Sequence, residues 1–386
     1  MAVTERDLDA ALAAVVGGGG ADLQRSVAAL TAAYRTGGPP GDVLGTPLAA
    51  RAYAAYRMPA TFAAVRAALR AAATALGEPA TLLDLGGGTG AAVWAAAAAL
   101  PSLTAATVLD RSADALALGR ALAGASSDPL LGGATWTRGA LGGGPPAPAD
   151  LVTVAYVLGE LSEGGRTALV QQVAAVAPAV AVVEPGTPAG HRRVLEARDA
   201  LLHKGFRVVA PCPHDLACPW RTGADWCHFA ARLPRSALHR QVKGGTLGWE
   251  DEKFSYVVAV RAPAADKAGG RIVRHPAQRK GFVELTVCRA EPGVGRVPVS
   301  KRQGPLFKAA KDAAWGDPWP PAADPAGPAV DPTGPAVDPA GPVAGPAGPG
   351  AGPAGEAVDL AGPADLAGPA GDGAGGRPGE DVRPGP

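Results

Sequence analysis

Residues 80–100 read ATLLDLGGGTGAAVWAAAAAL, an apolar run that leads into a glycine cluster and then into an alanine-rich segment. This order predicts a buried β-strand, a tight loop and an α-helix. Gly86, Gly88 and Gly90 alternate after Asp84. Glycine tolerates positive φ angles and lets the backbone approach a ligand closely beside a helix N-terminus. The stretch therefore predicts an α/β domain with a ligand-binding glycine loop.

The alternation of strands and helices continues on both sides of this loop. Further strands are predicted at 103–110, 149–161 and 179–186, with helices at 112–124, 168–177 and 191–205. Such an alternation is typical of a doubly wound, mainly parallel sheet of the Rossmann type.

The spacing of the glycines alone does not identify the ligand, because G-x-G-x-x-A also fits residues 86–91 as a dinucleotide loop. Asp84, two residues before the first glycine, favours S-adenosylmethionine. Asp110 ends the second strand, where a carboxylate can accept hydrogen bonds from ribose hydroxyls. The segment resembles motif I of class I S-adenosylmethionine-dependent methyltransferases. The resemblance implies that fold and a cofactor site formed by Asp84, Gly86, Gly88, Gly90 and Asp110; a fold that no longer binds the cofactor is the alternative.

The residues for methyl transfer are not evident. Amine methyltransferases of nucleic acids carry an Asn/Asp-Pro-Pro-aromatic signature after the fourth strand of their sheet, and residues 155–161 at the end of the predicted strand 149–161 read AYVLGEL instead. Glu184 lies near the end of the predicted strand 179–186, and we interpret it as structural rather than as a base. The catalytic residues are therefore unknown at this stage.

The chain divides into three parts. Residues 1–75 are rich in Ala and Leu at helical spacing and predict an N-terminal helical region. Residues 76–316 form the predicted methyltransferase-like domain. Residues 317–386 are repeats of Pro, Gly, Ala and scattered acids, which predict a disordered tail. No apolar run of membrane-spanning length and no signal-peptide pattern is evident, so we expect a cytoplasmic protein without a membrane partner.

The net charge of +1 conceals a strong asymmetry along the chain. Residues 189–316 contain 23 Lys and Arg against 11 Asp and Glu, whereas residues 1–188 contain 11 against 14 and residues 317–386 contain 2 against 10. The basic part, about 205–316, favours a polyanionic partner such as nucleic acid. A solvated surface of mixed charge is the alternative.

Three of the four cysteines lie in the segment CPHDLACPWRTGADWCHF, residues 212–229. Cys212, Cys218 and Cys227 follow a C-x5-C-x8-C spacing, and Cys288 lies on one of two predicted terminal antiparallel strands, 253–261 and 281–290. If the segment that carries Cys212, Cys218 and Cys227 is a loop that folds over the strand of Cys288, all four thiols can converge. Four thiolates suit an iron–sulfur cluster or zinc. A mixed zinc site with His214 or His228, and inert buried cysteines, remain the alternatives.

The segments CPHDLACP, DWCHF, HRQVKGGTLGWEDEKFSYVVAVR and SKRQGPLFKAAKDAAWGD, together with Cys288, resemble the methyltransferase-like assembly factors of the small ribosomal subunit. This resemblance covers about residues 45–316. It implies a [4Fe–4S] cluster on Cys212, Cys218, Cys227 and Cys288 and binding to small-subunit rRNA. It also implies a protein that is monomeric when it is not on the ribosome. The lack of a mitochondrial presequence leads us to expect a bacterial, cytoplasmic member.

The resemblance agrees with the charge distribution. Arg and Lys combined with aromatic side chains are typical of proteins that hold looped or single-stranded RNA. We expect Trp226 to pack in the core and leave Trp220 and Trp249 open. The candidate RNA-binding cations are Arg221, Arg232, Arg235, His239, Arg240, Lys243, Lys253, Arg271, Arg274, Arg279, Lys280, Lys301, Arg302, Lys308 and Lys311.

Overall fold

An eight-stranded mixed sheet forms the centre of the protein. The computed structural model describes residues 3–18, 20–36, 45–142, 144, 146–243, 247–261, 269–291 and 293–321. The strands of this sheet are β1 Thr81–Leu85, β2 Ala105–Asp110, β3 Thr135–Arg138, β4 Leu151–Ala155, β5 Ala179–Pro185, β6 Arg207–Ala210, β7 Phe229–Pro234 and β8 Trp249–Val260. Their order is β3-β2-β1-β4-β5-β8-β6, and β7 pairs with the first half of β8.

The strand directions confirm the predicted doubly wound, class I methyltransferase-like sheet. β1 to β5 run parallel to one another, whereas β8 runs antiparallel to both β5 and β6. Successive residues of β1 enter opposite layers, since Leu82 packs in one hydrophobic core and Leu83 in the other. Alternation of this kind is what a sheet covered by helices on both faces requires.

Helices cover both faces of the sheet. The helices after β2, β4 and β5 begin at side-chain caps, because Ser112, Ser162 and Thr187 each accept a hydrogen bond from a backbone N–H in the first turn. The helices are α1 Glu5–Val15, α2 Ala21–Thr36, α3 Pro47–Tyr56, α4 Met58–Leu76, α5 Ala91–Ala99, α6 Ala113–Gly124, α7 Pro129–Gly132, α8 Glu163–Val176, α9 Pro188–His203, α10 Ala237–Lys243 and α11 Pro305–Asp312. No described helix combines the length and the apolarity that a membrane span needs.

The N-terminal helices pack onto the main domain. α4 contacts α5, β7 and β8, and Phe62 and Leu69 of α4 share a hydrophobic core with Trp94 of α5. The predicted helical region is therefore present, and its last helix forms part of the layer that covers the sheet.

A second, five-stranded sheet follows the first. It contains β9 Gly270–Ile272, β10 Ala277–Arg279, β11 Phe282–Arg289, β12 Val294–Ser300 and β13 Pro318–Trp319, in the order β10-β11-β9-β13 with β12 also paired to β11. Together with α11 it encloses a separate small core that includes Val283, Leu285, Val299 and Trp319. We call residues 269–321 the C-terminal lobe.

The C-terminal lobe corrects two sequence predictions. The predicted strands 253–261 and 281–290 do not form one hairpin, because β8 lies in the main sheet and β11 in the lobe. β8 pairs with β5, β6 and β7, whereas β11 pairs with β9, β10 and β12 of the lobe. The predicted tail begins too early, since β13 pairs with β9 and Trp319 is only 3% exposed. Residues 322–386 lie outside the described residues.

Candidate functional site

Close packing explains why glycine is needed at two of the three predicted positions in the loop after β1. Gly86, Gly88 and Gly90 have φ angles of 69°, 53° and 82°, which favour glycine. A Cβ at Gly86 would lie 2.5 Å from Val157 Cγ2, and a Cβ at Gly90 would lie 2.5 Å from the Trp136 ring. At Gly88 the nearest atom would be Asp110 Oδ2 at 3.9 Å. Gly88 is therefore the glycine with open space beside it.

Asp110 links this loop to the end of β2. Its Oδ2 accepts a hydrogen bond from the Gly88 N–H at 2.9 Å, and its Oδ1 accepts one from the Ser112 N–H at 2.8 Å. A carboxylate has further lone pairs. The side chain can therefore shape the loop and still accept a hydrogen bond from a ligand hydroxyl.

Asp84 lies beneath the loop. It is fully buried, its Oδ1 accepts a hydrogen bond from the Thr153 hydroxyl at 2.7 Å, and a Cβ at Gly87 would meet its Oδ2 at 2.3 Å. Burial is the main reason why the pKa of Asp84 rises to about 7. Asp84 therefore supports the loop from below and can affect a ligand only through the loop backbone.

A partly buried ion pair lies at the carboxyl end of β4, the position at which amine methyltransferases of nucleic acids carry their signature. Tyr156 is a non-glycine residue at φ 60°, and its hydroxyl donates a hydrogen bond to Glu252 Oε1 at 2.8 Å. Arg57 donates to both oxygens of Glu252 at 2.9 and 3.3 Å. Burial, followed by the charge of Glu252, raises the pKa of Tyr156 well above its ordinary value. The trio was not foreseen, because its members lie far apart in the sequence.

Glu184 is structural, in agreement with the sequence interpretation. Its Oε1 accepts a hydrogen bond from the Leu158 N–H at 2.9 Å, and its Oε2 pairs with Arg193 Nε at 2.7 Å. The carboxylate therefore joins the ends of β4 and β5 to α9.

All four cysteines line one cavity at the junction of the main domain and the C-terminal lobe. Cys212, Cys218 and Cys227 lie on the loop that joins β6 to β7, and Cys288 lies on β11. The loop thus follows β6. In the described parts of the chain, no three His, Cys, Asp or Glu side chains are arranged to hold a metal ion. The four thiols therefore lie in one cavity wall but do not surround a common metal position.

The thiols influence one another electrostatically. Burial raises the pKa of Cys227 well above its ordinary value, and Cys212, Cys218 and Cys288 raise it further. Burial likewise raises the pKa of Cys288 to about 12, and it raises the pKa of Cys218. Thiolates at this site need a compensating cation, which a metal centre would provide.

Two guanidinium groups in the cavity wall hold the cysteine loop in place. Arg198 of α9 is 1% exposed and donates hydrogen bonds to the carbonyls of His214 and Leu216 at 3.2 and 2.7 Å. Arg271 of β9 donates to the carbonyl of Pro211 at 2.8 Å. Arg198 Nε is buried without a hydrogen-bond partner among the described residues. Arg198 already pairs with Asp199 at 3.4 Å, so it is the spare Nε donor that favours an anionic group in this cavity.

The two candidate histidines differ in position. His214 lines the cavity, and its Nε2 lies 3.8 Å from Cys288 Sγ. His228 is instead stacked on Trp226 at 5.2 Å between ring centres. A mixed Cys/His site would therefore use His214.

The tryptophans differ in exposure. Trp226 is half-buried and donates a hydrogen bond to the Gly186 carbonyl at 2.8 Å, which agrees with the expected packing role. Trp220 lies under the Arg274 guanidinium, with its ring centre 4.5 Å away. Trp249 is 45% exposed and is covered on one face by Arg232 at 3.9 Å. Of these three, Trp249 is the most open to a partner.

Comparison with known proteins identifies the family. The model of the family described as mitochondrial small ribosomal subunit Rsm22 matches residues 47–320. The human mitochondrial ribosome assembly protein METTL17 is 33% identical over 287 residues, which cover 69% of this chain and 61% of the human protein. The Rsm22-cox11 tandem protein 1 of Schizosaccharomyces pombe is 28% identical over 179 residues, which cover 36% of this chain and 24% of that protein. The chain thus spans about three fifths of its human relative and a quarter of the yeast one.

Solved methyltransferases are more distant. Human N-acetylserotonin methyltransferase in complex with S-adenosylmethionine is 16% identical with a TM-score of 0.34, covering 61% of this chain and 59% of that chain. The glycopeptide N-methyltransferase MtfA, also with S-adenosylmethionine, is 14% identical with a TM-score of 0.33, covering 50% and 92%. The strand order itself carries the fold assignment. The match across residues 47–320, with 33% identity to the human protein, shows that this chain belongs to the mitochondrial small ribosomal subunit Rsm22 family.

Proposed function

We propose that this protein is an assembly factor of the small ribosomal subunit that binds rRNA and holds a [4Fe–4S] cluster on a methyltransferase-like scaffold. One observation carries the proposal: three cysteines of the loop between β6 and β7 and one cysteine of β11 in the second sheet line one cavity. The family and the human relative, which is named as a ribosome assembly protein, support the ribosomal part.

The chemistry of the cavity fits an anionic, sulfur-ligated group. Cys212, Cys218, Cys227 and Cys288 would be the ligands, and thiolates are the usual ligands of a [4Fe–4S] cluster. Arg198 and Arg271 supply positive charge in the same wall. When bound, the cluster would cross-link the cysteine loop to β11, and its binding free energy would add to the stability of the C-terminal lobe.

Metal and sulfide analysis tests the cluster. Protein purified without oxygen should be brown, absorb broadly near ~400 nm and contain iron and acid-labile sulfide in cluster stoichiometry. Colourless protein with one zinc per chain would replace the cluster with zinc. Protein with neither metal would leave the cysteines as packing residues.

Ribosome binding is tested separately. The purified protein should co-sediment with immature small subunits, and depletion of the protein should cause such particles to accumulate. Fractionation and sedimentation analysis would test the expected cytoplasmic location and the monomeric state off the ribosome. Normal subunit maturation after depletion would overturn the assembly role.

An S-adenosylmethionine-dependent rRNA methyltransferase is the second candidate. The open space beside Gly88 and the position of Asp110 favour it. Cofactor binding would involve Gly86, Gly88, Gly90 and Asp110, with Asp84 supporting the loop. Calorimetry with S-adenosylmethionine, followed by mass mapping of rRNA from a deletion strain, tests it: binding together with one missing methyl group would favour the enzyme, and neither result would remove it.

A further inference from the structure

Carboxylates neutralise much of the basic part of the chain. A single carboxylate, that of Glu250, contacts both Arg235 and Lys243. Asp251 forms a bidentate pair with Arg232 at 2.8 Å. Several candidate RNA-binding cations are thus already occupied. The paired cations are Arg207 with Asp215, Arg221 with Asp199, Arg232 with Asp251, Arg235 and Lys243 with Glu250, and Arg274 with Asp225.

Four cations at one end of the C-terminal lobe are different. They are exposed, and none of them makes an ion pair with a carboxylate of the described residues; they are Arg279, Lys280, Lys301 and Arg302. We call these four residues the basic edge.

Backbone geometry brings the basic edge together. Arg279 of β10 lies opposite Phe282 of β11, and Phe282 lies opposite Ser300 at the end of β12. The Lys301 N–H then donates a hydrogen bond to the Gly281 carbonyl at 3.1 Å. Two pairs of adjacent cations, from chain segments about twenty residues apart, therefore meet at the same end of the sheet.

The basic edge is mounted on a packed scaffold. Val283 follows Phe282 on β11, and Val299 precedes Ser300 on β12. Both valines are fully buried in the core of the lobe. Ala310 of α11 packs into the same core, while Lys308 and Lys311 of α11 remain exposed. The backbone that carries the four cations is therefore anchored to the core of the lobe, and the two lysines extend the positive surface.

We infer that the basic edge is the surface through which this protein contacts the phosphate backbone of its rRNA; this inference rests on the proposed function. Unpaired, clustered Arg and Lys side chains are the chemistry that binds successive phosphates. The large exposed apolar side chains of the described chain are Leu48, Leu216, Leu247 and Trp249, all outside the lobe. A protein partner would require an apolar, aromatic-rich centre in the interface, so this surface fits RNA better.

Charge removal tests the inference in the full-length protein. The test variant combines Arg279→Gln, Lys280→Gln, Lys301→Gln and Arg302→Gln. The matched control removes four exposed cations outside the C-terminal lobe that likewise make no ion pair with a carboxylate of the described residues: Arg6→Gln, Arg70→Gln, Arg120→Gln and Lys204→Gln. Affinity for small-subunit rRNA would be measured over a range of salt concentrations, with circular dichroism and metal content to show that both variants are folded.

The basic-edge variant should lose roughly tenfold or more in affinity at low salt, and its slope of log K against log salt should fall by about 3, because each lost phosphate contact contributes about 0.7. The control should stay within about twofold of the wild type, since non-contacting charges change only the long-range field.

Each outcome has a clear meaning. Equal affinity and slope in the basic-edge and control variants, with wild-type binding intact, would overturn the inference and leave the proposed function standing. A wild-type protein that does not bind rRNA would overturn the RNA-binding part of the proposed function itself. Binding to the intact subunit that requires the basic edge, without binding to naked rRNA, would assign the surface to a ribosomal protein and overturn the RNA inference.

Discussion

Cys288 Sγ lies 3.8 Å from His214 Nε2, although the two residues are 74 positions apart in the chain. One belongs to the C-terminal lobe and the other to the loop that leaves the main sheet. This contact brings the fourth cysteine to the cavity that the first three line. The cysteine site therefore joins two separately packed sheets.

The first prediction concerns the strand cysteine. Cys288→Ser should abolish metal binding and lower the melting temperature of metal-loaded protein, because the metal-binding free energy is also folding free energy. Iron, zinc and sulfide analysis together with calorimetry would measure both effects. Thr286→Ser, a small change on the same strand, serves as the control and should retain the metal. A Cys288→Ser protein with unchanged metal content and melting would show that this thiol is not a ligand.

The second prediction concerns protons. Since the pKa values of Cys218, Cys227 and Cys288 are raised, these thiols carry protons at neutral pH in the metal-free protein. A metal binds the thiolate, so loading reduced apoprotein with Zn²⁺ should release more than one proton per metal. The apparent affinity should rise by roughly tenfold or more per pH unit between pH 6 and 8. Weakly buffered titrations with a pH indicator would measure the release; an affinity independent of pH would contradict the prediction.

The third prediction concerns Arg198. Arg198→Met should remove the hydrogen bonds to the carbonyls of His214 and Leu216, and we expect a loss of about 2–4 kcal/mol in the free energy of unfolding. Arg198→Lys should recover part of it. Lys204→Met, at the exposed end of the same helix, should change the free energy of unfolding by less than about 0.5 kcal/mol. Chemical denaturation would compare the three variants, and equal midpoints for Arg198→Met and the control would refute the role.

The fourth prediction concerns Asp84 and pH. Burial raises its pKa from 3.8 to about 7, so the folded protein retains a proton that the unfolded chain releases in this range. The stabilising contribution of this group is therefore complete below about pH 4 and declines as the pH rises towards 7. Asp84→Asn should remove this decline, so the variant should gain stability relative to wild type between pH 5 and 8.

Asp150→Asn provides a control for which the expected pH dependence of stability has the opposite sign. Hydrogen bonds from the Thr81 hydroxyl and backbone lower the pKa of Asp150. Its stabilising contribution is therefore present at neutral pH and disappears as the pH falls through the lowered value. Thermal melting at several pH values would distinguish the two variants. If the melting temperatures of wild type and Asp84→Asn changed with pH in parallel, Asp84 would not titrate as predicted.

Much of the main domain was predictable from the sequence. The glycine loop at 86–90 and the alternation of apolar runs with helices reflect local requirements, namely φ angles and a covered parallel sheet. The four cysteines were recognisable because residue type defines their chemistry, and the resemblance to the assembly factors agrees with the family found by comparison. The contacts at the end of β4 were less accessible, since Tyr156, Arg57 and Glu252 meet only after three segments have packed together.

The sequence by itself determined the strand–loop–helix unit around Asp84, the alternation of strands and helices that makes a mainly parallel sheet, and the chemistry of the thiols, because these depend on backbone preferences and on neighbouring residues. Only the tertiary structure placed Cys288 on a second sheet and paired Arg232 and Arg235 with carboxylates while leaving Arg279 and Lys301 exposed. Long-range strand register and packing decide which distant side chains meet. For that reason, Arg232 and Arg235 beside β7 are neutralised by carboxylates, whereas the cations at the end of the lobe remain unpaired.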